Sequence, residues 1–465
     1  MAAACRGGRT HAPDQSSVPD PTLAATVETK TPPAFVGHDE GAHHVWQEER
    51  RFYKQNGEHL AWSDGRRLWP QADGLLRALR AADQDGLNPA DYHVDAIAAH
   101  RQSFDAAHAA DVDIELTYAY LSYAWDLTHG TTDPEELDPH WHAVQRDVDL
   151  HATLQNGLDE NRIEESLQRL VPKAPQYQGL KHQLARYRAL AAQGGSPSPN
   201  AANPKNPADP KNPANPANLV HIIALNMDRW RWLPDDLGSR YVMVNIPAFH
   251  LDVVENGRSV LGMNVVAGKP NSPTPVLADR MEYLVFSPYW NIPSDIVQKE
   301  MLPHQMRDPG YLARNNIEVV RVGSNDANPV DPASVDWNAG NLRFRQRPGK
   351  GNSLGLVKFV FPNHFNVYMH DTPAQALFER IERDFSHGCV RLEKPKELAR
   401  YVLRDQPEWT DEKIEEAMHA GTERNVPLKQ PLPVYLVYFT AWEQDGAVQF
   451  GNDVYGYDRK QSRDE

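Results

Sequence analysis

Cysteine is scarce in this sequence, which has only Cys5 and Cys389 among 465 residues. Cys5 belongs to a stretch rich in Ala, Gly, Pro and polar residues, so we do not expect a structural disulfide between the two. No two cysteines are closely spaced, which excludes the common structural zinc sites. Cys389 is therefore predicted to be a free thiol. It is either a small buried apolar side chain or a reactive nucleophile.

Long apolar runs and an excess of positive charge are also lacking. No run approaches the roughly 18 apolar residues of a membrane helix, so no membrane-spanning segment is expected. The net charge of -15 argues against a nucleic-acid partner, because such binding normally depends on Lys and Arg contacting phosphates. No charged-then-apolar signal peptide is visible. The opening Met-Ala-Ala-Ala-Cys is either a lipoprotein remnant, with Cys5 as the lipid anchor, or an ordinary start.

Composition divides the chain into four parts. Residues 1–41 are rich in proline with weak apolar periodicity and are expected to be a disordered lead-in, and residues 42–192 an all-helical domain. Residues 193–218 are an Asn/Pro-rich linker with prolines at every third position, which is the period of polyproline II. Residues 219–465 are predicted to form a β-rich domain with a helical or irregular insert at about 294–352. The expected fold class is α+β.

Apolar periodicity supports this division. Three stripes at helical spacing are expected to form core: Leu75, Leu76, Leu79 and Ala82; Ile114, Tyr118, Leu121 and Trp125; and Tyr177, Leu180, Leu184, Tyr187 and Leu190. Gly86 is predicted to end the first of these helices. After Leu219 the period changes to two, and Asn256-Gly257 between two alternating runs predicts a β-hairpin.

The surroundings of Cys389 favour the reactive alternative. Residues 386–391 read SHGCVR, which places the thiol between His387 and Arg391 and next to Gly388. Positive charge lowers the pKa of a thiol, and glycine permits tight backbone geometry and the close approach of a ligand. These neighbours are unusual for an inert core cysteine, so we predict a nucleophile.

His370 is the candidate partner for Cys389. It ends the predicted strand HFNVYMH, 19 residues before the cysteine, and Asp371-Thr372-Pro373 follows it. The segment AQALFERIERDF has helical propensity, so a strand end, a crossing helix and a return could bring an imidazole to the thiol. The alternative is that His370 is only a polar residue at a strand end.

A metal site made of His364, His370, His387 and Cys389 is the competing interpretation. On a regular strand His364 and His370 would lie roughly 20 Å apart. Zn–N bonds are about 2 Å long, so one ion cannot bind both histidines. The sequence therefore predicts no metal and no cofactor.

HDTP followed by SHGCVR resembles the catalytic signature of L,D-transpeptidases with a YkuD-type domain, specifically the YcbB-like branch. The resemblance covers essentially all of 219–457. It includes NMDRWRWLP, VNIPAFHLDVVENG, VVAGKPNSPTPV, VFSPYWNIP, VKFVFPNHFNVYMHDTPAQALF and VPLKQPLPVYLVYFTAW, while FYKQNGEHLAW and GLNPADYH are similar to that branch's scaffold domain. It implies a helical N-terminal scaffold domain, then a β-rich catalytic domain with an inserted capping subdomain. Many relatives have a peptidoglycan-binding domain where this chain has only the Asn/Pro-rich linker.

The resemblance also implies roles for individual residues. Cys389 matches the nucleophile and His370 the base, which a backbone carbonyl at the position of Asp371 would orient. Backbone N–H groups near Gly388 and Cys389 would stabilise the oxyanion, and Ser386 and His387 would hold the turn. Arg391 would either support Cys389 electrostatically or pair with a substrate carboxylate, and both alternatives stay open.

Further residues are candidates for substrate binding. Arg343, Arg345 and Arg347 alternate in LRFRQRPGK, so an extended segment would place them on one face, either gripping stem-peptide carboxylates or simply solvated. Tyr289, Trp290 and Tyr368 complete the candidate set.

The implied function is peptidoglycan crosslinking. Cys389 would form a thioester with a stem peptide, and the amine of a neighbouring stem would resolve it, giving 3-3 or 1-3 crosslinks under a cap that excludes water. Carbapenems would acylate Cys389, and the expected location is the periplasm of a Gram-negative bacterium. The alternatives are a carboxypeptidase-type cysteine hydrolase of stem peptides and a non-catalytic cell-wall scaffold.

Overall fold

The structure is a computed structural model that describes residues 19–29, 31–37, 40–142, 146–193, 216–322, 329–334 and 341–464. Cys5 and nearly all of the predicted linker over 193–218 lie outside these ranges.

Helices form the N-terminal half and the periphery of the C-terminal half. They are α1 (Pro21–Glu28), α2 (Glu40–Gln55), α3 (Pro70–Arg80), α4 (Val94–Gln102), α5 (Ala109–His129), α6 (Pro134–Leu137), α7 (Leu150–Asp159), α8 (Ile163–Gln168), α9 (Pro175–Ala192), α10 (Pro216–Arg231), α11 (Ser294–Ile296), α12 (Leu302–Arg307), α13 (Tyr311–Arg314), α14 (Pro395–Leu403), α15 (Asp411–His419) and α16 (Tyr457–Asp464).

The helical stripes predicted from the sequence are confirmed except at their ends. They fall on α3, α5 and α9, and their leucines at 75, 79, 121, 180 and 184 have no exposed surface. Ala82 is buried on the 3₁₀ turn that follows α3, and Leu190 is half-buried and lies outside the core cluster. Helix α5 is buried on nearly all sides because the other helices pack around it. Gly86 follows the 3₁₀ turn after α3 with a left-handed φ of 78°, a conformation that glycine adopts without a steric penalty. The N-terminal half is thus a helical domain built around α5.

The prediction of a disordered lead-in over 1–41 is wrong for residues 19–28. The Asp20 side chain accepts hydrogen bonds from the N–H groups of Thr22 and Leu23 and so caps α1. Leu23 and Val27, one helical turn apart, have no exposed surface and belong to the core of the helical domain. A helix of this length gains its stability from tertiary packing rather than from local propensity, which is why composition concealed it.

The change to β structure comes later than predicted. Leu219 belongs to α10, whose apolar residues share one core cluster with the scaffold helices. The polar side of α10 joins the two halves of the chain: Arg231 donates to the carbonyl of Asp85 at 2.5 Å, and Arg229 forms a buried ion pair of 2.8 Å with Asp458 of α16. Residues 219–231 are therefore helical and connect the two halves.

Fourteen strands are present in the part of the chain that the structure describes. They are β1 (Arg240–Asn245), β2 (His250–Glu255), β3 (Arg258–Gly268), β4 (Leu277–Phe286), β5 (Trp290–Asn291), β6 (Ile317–Arg321), β7 (Leu342–Gln346), β8 (Val357–Val360), β9 (Met369–His370), β10 (Asp384–Ser386), β11 (Val390–Leu392), β12 (Arg424–Val437), β13 (Ala441–Gln444) and β14 (Ala447–Phe450).

The main sheet has nine strands among the described residues, in the order β10-β3-β11-β9-β8-β4-β12-β1-β2. Because β2 also pairs with β3, the sheet closes into a barrel around an apolar core. The Asn256-Gly257 hairpin joins β2 to β3 as predicted, with positive φ values of 49° and 76°.

Two predictions around His370 are wrong. HFNVYMH is not one strand, since His364 lies in a turn and only Met369 and His370 form β9. The expected crossing helix is only a 3₁₀ turn over Gln375–Glu379, and the chain then returns through β10. The short return packs Phe378 into the structure, so a tight turn replaces the helix.

The predicted insert is a compact subdomain, here called the cap. It starts at Trp290, slightly earlier than expected, and contains the sheet β5-β7-β6 and helices α11 to α13. It has an apolar cluster of its own, with Met301, Val319 and Phe344 among its buried members.

Candidate active site

The SHGCVR segment crosses the end of one strand of the barrel. Strand β10 ends at Ser386 and pairs with one edge of β3, whereas β11 begins at Val390 and pairs with the other edge. Cys389 therefore lies in a three-residue connection that passes over the end of β3 near Gly268. Such a short crossing leaves little conformational freedom, so the position of the thiol is set by the sheet.

Hydrogen bonds hold this connection from both sides. The Ser386 hydroxyl donates to the Cys389 carbonyl at 2.5 Å and accepts from the Gly388 N–H at 3.1 Å. The buried Thr274 hydroxyl donates to the Gly388 carbonyl at 2.7 Å and accepts from the Gly268 N–H at 2.8 Å. Sequence reasoning missed Thr274, whose only signal is its place in the quoted motif VVAGKPNSPTPV.

Gly388 has a φ of +113°, a conformation that side chains rarely adopt. Its N–H is donated to Ser386, so the expectation that it helps to stabilise an oxyanion does not hold in this geometry. No hydrogen bond of the Cys389 N–H is present within the described part of the chain, which leaves that group as the available donor.

Replacing Thr274 by valine tests whether this support positions the thiol. The variant keeps the side-chain shape but removes one donor and one acceptor, leaving the Gly388 carbonyl and the Gly268 N–H unpaired. We expect acylation of Cys389 by a carbapenem to slow by about 10- to 100-fold, since small displacements of a nucleophile have large kinetic effects. Thr274→Ser retains the hydroxyl and should stay within a few-fold of the natural protein. Equal rates in both variants would show that the contact does not position Cys389.

The imidazole of His370 is oriented by its own backbone neighbour. Its Nδ1–H donates to the Asp371 carbonyl at 2.5 Å, which leaves Nε2 as the basic nitrogen. The Asp371 carboxylate in turn accepts from the N–H groups of Leu356 and Thr372 at 2.8 and 2.7 Å. His370 is therefore fixed in one tautomer by a rigid backbone.

His370 lies in a row of three polar side chains across the barrel wall. In the sheet register it is opposite Lys358 of β8 and opposite Arg391 of β11. Met369 and Val390, the apolar neighbours of this row, are fully buried in the barrel core, so the row faces the other way. A cationic residue thus flanks His370 on each side.

Cys389 and Tyr368 form the adjacent row on the same face. The Val390 N–H donates to the Tyr368 carbonyl at 3.1 Å, which brings Cys389 level with Tyr368. Arg391 and His370 follow two register positions along, beyond the core-facing pair Val390 and Met369, and so share this face. The structure therefore brings Cys389, Tyr368, His370 and Arg391 together, although no hydrogen bond joins Cys389 to His370 among the residues described.

The charges on this pair differ from the expected ion pair. Burial raises the pKa of the Cys389 thiol above its usual value, although hydrogen bonds from Tyr368 and the nearby charges of Arg391 and Lys358 act against this. Burial, together with the nearby charges of Arg391 and Lys358, lowers the pKa of His370 to about 3. The resting pair is thus a neutral thiol beside a neutral imidazole. Proton transfer has to accompany attack rather than precede it.

Lys358 is a second residue that sequence reasoning missed. It is the single charged residue in the apolar strand VKFV, on the face opposite to the core residues Val357 and Phe359. Its ammonium lies 5.6 Å from the ring centre of Tyr368. A lone cation in an otherwise apolar strand was the available signal.

His387 does not hold the turn, contrary to the expectation. Its Nε2 lies 2.8 Å from Glu300 of the cap and 3.1 Å from the Lys269 ammonium. Because its side chain is partly exposed and points to the cap, it connects the Cys389 segment to that subdomain.

The other candidate substrate-binding residues belong to the cap and its base. Arg345 and Arg347 both bind the buried carboxylate of Glu318, Arg345 at 2.8 Å. A substrate carboxylate would have to displace Glu318. The Arg345 side chain is 13% exposed, which rules out a solvated position, whereas the Arg347 side chain is 58% exposed and agrees with one. Tyr289 donates its N–H to Glu423 and its ring lies 4.4 Å from the Arg345 guanidinium.

Trp290 and Arg343 complete that set. Trp290 begins β5 and packs against the apolar cluster of the cap, and Arg343 lies on β7, opposite Val320 of β6. Neither is brought next to Cys389 by the sheet register. Any role in substrate binding would therefore be exercised from the cap.

The described residues offer no candidate for a metal site or a membrane span. No group of three or more His, Cys, Asp or Glu side chains there could hold a metal ion. Within the same ranges, every helix is too short or too polar to cross a membrane.

Two regions of the chain match known protein families. Residues 239–423 match the YkuD family, described as the L,D-transpeptidase catalytic domain, and residues 47–184 match the family described as the Scaffold domain. The chain therefore carries a YkuD-type L,D-transpeptidase catalytic domain and a helical Scaffold domain.

Individual proteins share parts of this chain. A Haemophilus influenzae protein with the name "Putative L,D-transpeptidase" is 35% identical over 241 residues, which are 51% of this chain and 48% of that protein. The chain thus spans about half the length of this curated relative.

Solved structures show a partial likeness. An L,D-transpeptidase from Mycobacterium smegmatis is 12% identical with a TM-score of 0.20, over 43% of this chain and 58% of that chain. An LD transpeptidase solved in complex with imipenem is 15% identical with a TM-score of 0.20, over 43% of this chain and 59% of that chain.

Proposed function

We propose that the protein is a cysteine-dependent L,D-transpeptidase that crosslinks peptidoglycan stem peptides in the cell envelope. The observation that carries the proposal is the arrangement of Cys389 beside Tyr368, His370 and Arg391 on one face of a domain that belongs to the L,D-transpeptidase family. His370, fixed by the Asp371 carbonyl with its basic Nε2 free, is suited to exchange a proton with the thiol.

The first step forms a thioester. Cys389 Sγ attacks the carbonyl carbon of the donor peptide while His370 Nε2 takes the thiol proton, and the Cys389 N–H stabilises the oxyanion. The C–N bond to the terminal residue then breaks, and the proton passes from His370 to the leaving amine. The neutral resting pair fits this sequence, because the imidazolium exists only while a tetrahedral intermediate is present.

The second step transfers the acyl group. An amine from a neighbouring stem attacks the thioester, the C–S bond breaks, and the amine proton returns through His370 to the thiolate. Water competes with the amine at far higher concentration. The cap, which reaches the Cys389 segment through Glu300 and His387, would favour the amine by excluding water.

The experiment that tests the proposal is product analysis. Purified protein is incubated with a tetrapeptide stem donor, with and without a stem carrying a free side-chain amine, and the products are analysed by mass spectrometry. A new peptide bond between donor and acceptor supports transpeptidation, and the bonded residues show whether the link is 3-3 or 1-3. Release of the terminal residue without transfer would identify a hydrolase, and no product with either mixture would favour a non-catalytic scaffold.

Weakening the contact between the cap and Cys389 should change the fate of the thioester. Glu300→Gln removes the charge that faces His387, and we expect the ratio of hydrolysed to transferred product to rise. Exposed ion pairs contribute about 1 kcal/mol or less, so the rise should be at most about fivefold. Lys299→Gln, at the neighbouring exposed position, is the matched control. An unchanged ratio in Glu300→Gln would mean that this contact does not control access of water.

A further inference from the structure

We propose that Lys358 and Arg391 form an anion-binding site that holds a carboxylate of the substrate beside Cys389. The inference rests on the proposed function for the identity of the substrate, but the binding site follows from the arrangement of these two side chains. Lys358, which the sequence patterns did not single out, thereby becomes a substrate-binding residue.

Position is the first observation. Lys358 and Arg391 lie in one row on either side of His370 and face away from the barrel core. Strands β8 and β11 are two strand spacings apart, about 10 Å. Two long side chains can reach across that distance to a single carboxylate above His370, within a few bonds of a carbonyl attacked by Cys389.

The second observation is that both cations lack acidic partners. Among the described residues neither side chain makes a hydrogen bond or an ion pair, and the Nε of Arg391 is buried without a partner. Buried polar groups are normally hydrogen-bonded, and charged side chains are rarely buried without a counter-charge. An anionic ligand would supply the missing partner for both.

Nearby carboxylates are engaged elsewhere. Asp371 uses its two oxygens for the N–H groups of Leu356 and Thr372, and Glu423 accepts from the Tyr289 N–H. Burial lowers the pKa of Lys358 and the charge of Glu423 only partly opposes this, since Glu423 forms no ion pair with Lys358 in the described part of the chain. The site therefore has an excess of positive charge.

A bound carboxylate would also assist the base. The charged or titratable groups facing His370 are Arg391 on β11, Lys358 on β8, Asp371 and Tyr368 on its own segment, and Cys389. Arg391 and Lys358 oppose protonation of the imidazole, and a carboxylate between them would offset that opposition. Substrate binding would thus favour transfer of the thiol proton to His370.

Alkylation of Cys389 tests the site without any peptide substrate. Iodoacetate and iodoacetamide are similar in size, and with both the thiolate displaces iodide, but only iodoacetate carries a carboxylate. The second-order rate constants of both reagents at Cys389 are measured on the full chain by mass spectrometry, and their ratio is divided by the ratio for N-acetylcysteine. We expect this corrected preference for iodoacetate to be about tenfold or more, because two partly buried cations face the reagent.

Variants identify the residues responsible. Lys358→Met should reduce the preference by about fivefold or more, whereas Lys358→Arg, which keeps the charge, should retain most of it. Lys413→Met, the same change at an exposed position of α15, is the control and should leave it unchanged. A corrected preference near one in the natural protein, or the same preference in Lys358→Met, would overturn the proposal.

The outcome is independent of the proposed function. If Lys358→Met does not fold, the natural protein and Lys358→Arg still decide, since both must prefer iodoacetate. A clear preference in a protein that transfers no stem peptide would support the anion site and count against the transpeptidase. Transfer of stem peptides by a protein that shows no preference for iodoacetate would support the transpeptidase and count against the anion site.

Discussion

Replacing Cys389 by alanine is expected to abolish crosslinking, with a loss of about 10⁴-fold or more. In the proposed mechanism this residue supplies the sulfur atom that forms the thioester, and no neighbouring side chain could replace it. The partly buried thiol fills little volume, so the fold should remain stable, with a change in unfolding free energy of about 1 kcal/mol or less. Crosslinked product and thermal unfolding are measured on the same preparation.

The other cysteine of the chain provides the control. Cys5→Ala should keep full activity, and a carbapenem should add its mass to the natural protein and to Cys5→Ala but not to Cys389→Ala. Substantial crosslinking by Cys389→Ala, or carbapenem adducts at Cys5, would show that the nucleophile has been assigned wrongly.

Replacing His370 by alanine is expected to lower the rate of acylation by about 10²- to 10⁴-fold, the usual contribution of a general base. Because the thiol pKa is raised and the imidazole is neutral, the thiol keeps its proton until attack begins. The loss should therefore be largest near neutral pH and should shrink at high pH, where hydroxide ionises Cys389 directly. A pH profile of carbapenem acylation for both proteins measures this, and a loss independent of pH would contradict the role of base.

The same histidine should affect stability in acid. The pKa of His370 is about 3 in the folded protein, below its usual value of about 6.5. Between pH 6.5 and pH 3 the imidazole therefore takes up a proton in the unfolded chain but not in the folded protein. The group therefore has no effect above pH 6.5 and destabilises the fold progressively below it. Relative to the natural protein, His370→Gln should gain about 2 kcal/mol of unfolding free energy between pH 7 and pH 4.5. A constant difference over that range would refute the depressed pKa.

The sequence alone determined the helical domain and the β-hairpin, and it singled out Cys389 and His370 as the candidate nucleophile and base. These features are local: the stripes on α3, α5 and α9 repeat every turn, and Asn256-Gly257 specifies a turn by itself. The SHGCVR segment could also be recognised from the sequence, because its short crossing over β3 needs a glycine with a positive φ at position 388. Such signals survive in the sequence because each depends on a few adjacent residues.

Only the tertiary structure decided what surrounds those residues. Lys358 and Arg391 are far apart in sequence and become neighbours of His370 through the pairing of β8, β9 and β11, whose register no local pattern specifies. The hydroxyl of Thr274 reaches Gly388 across more than a hundred residues, and α1 is stable because the helical core buries it. The neutral state of Cys389 and His370 likewise follows from burial, a property of the folded molecule that composition and spacing do not contain.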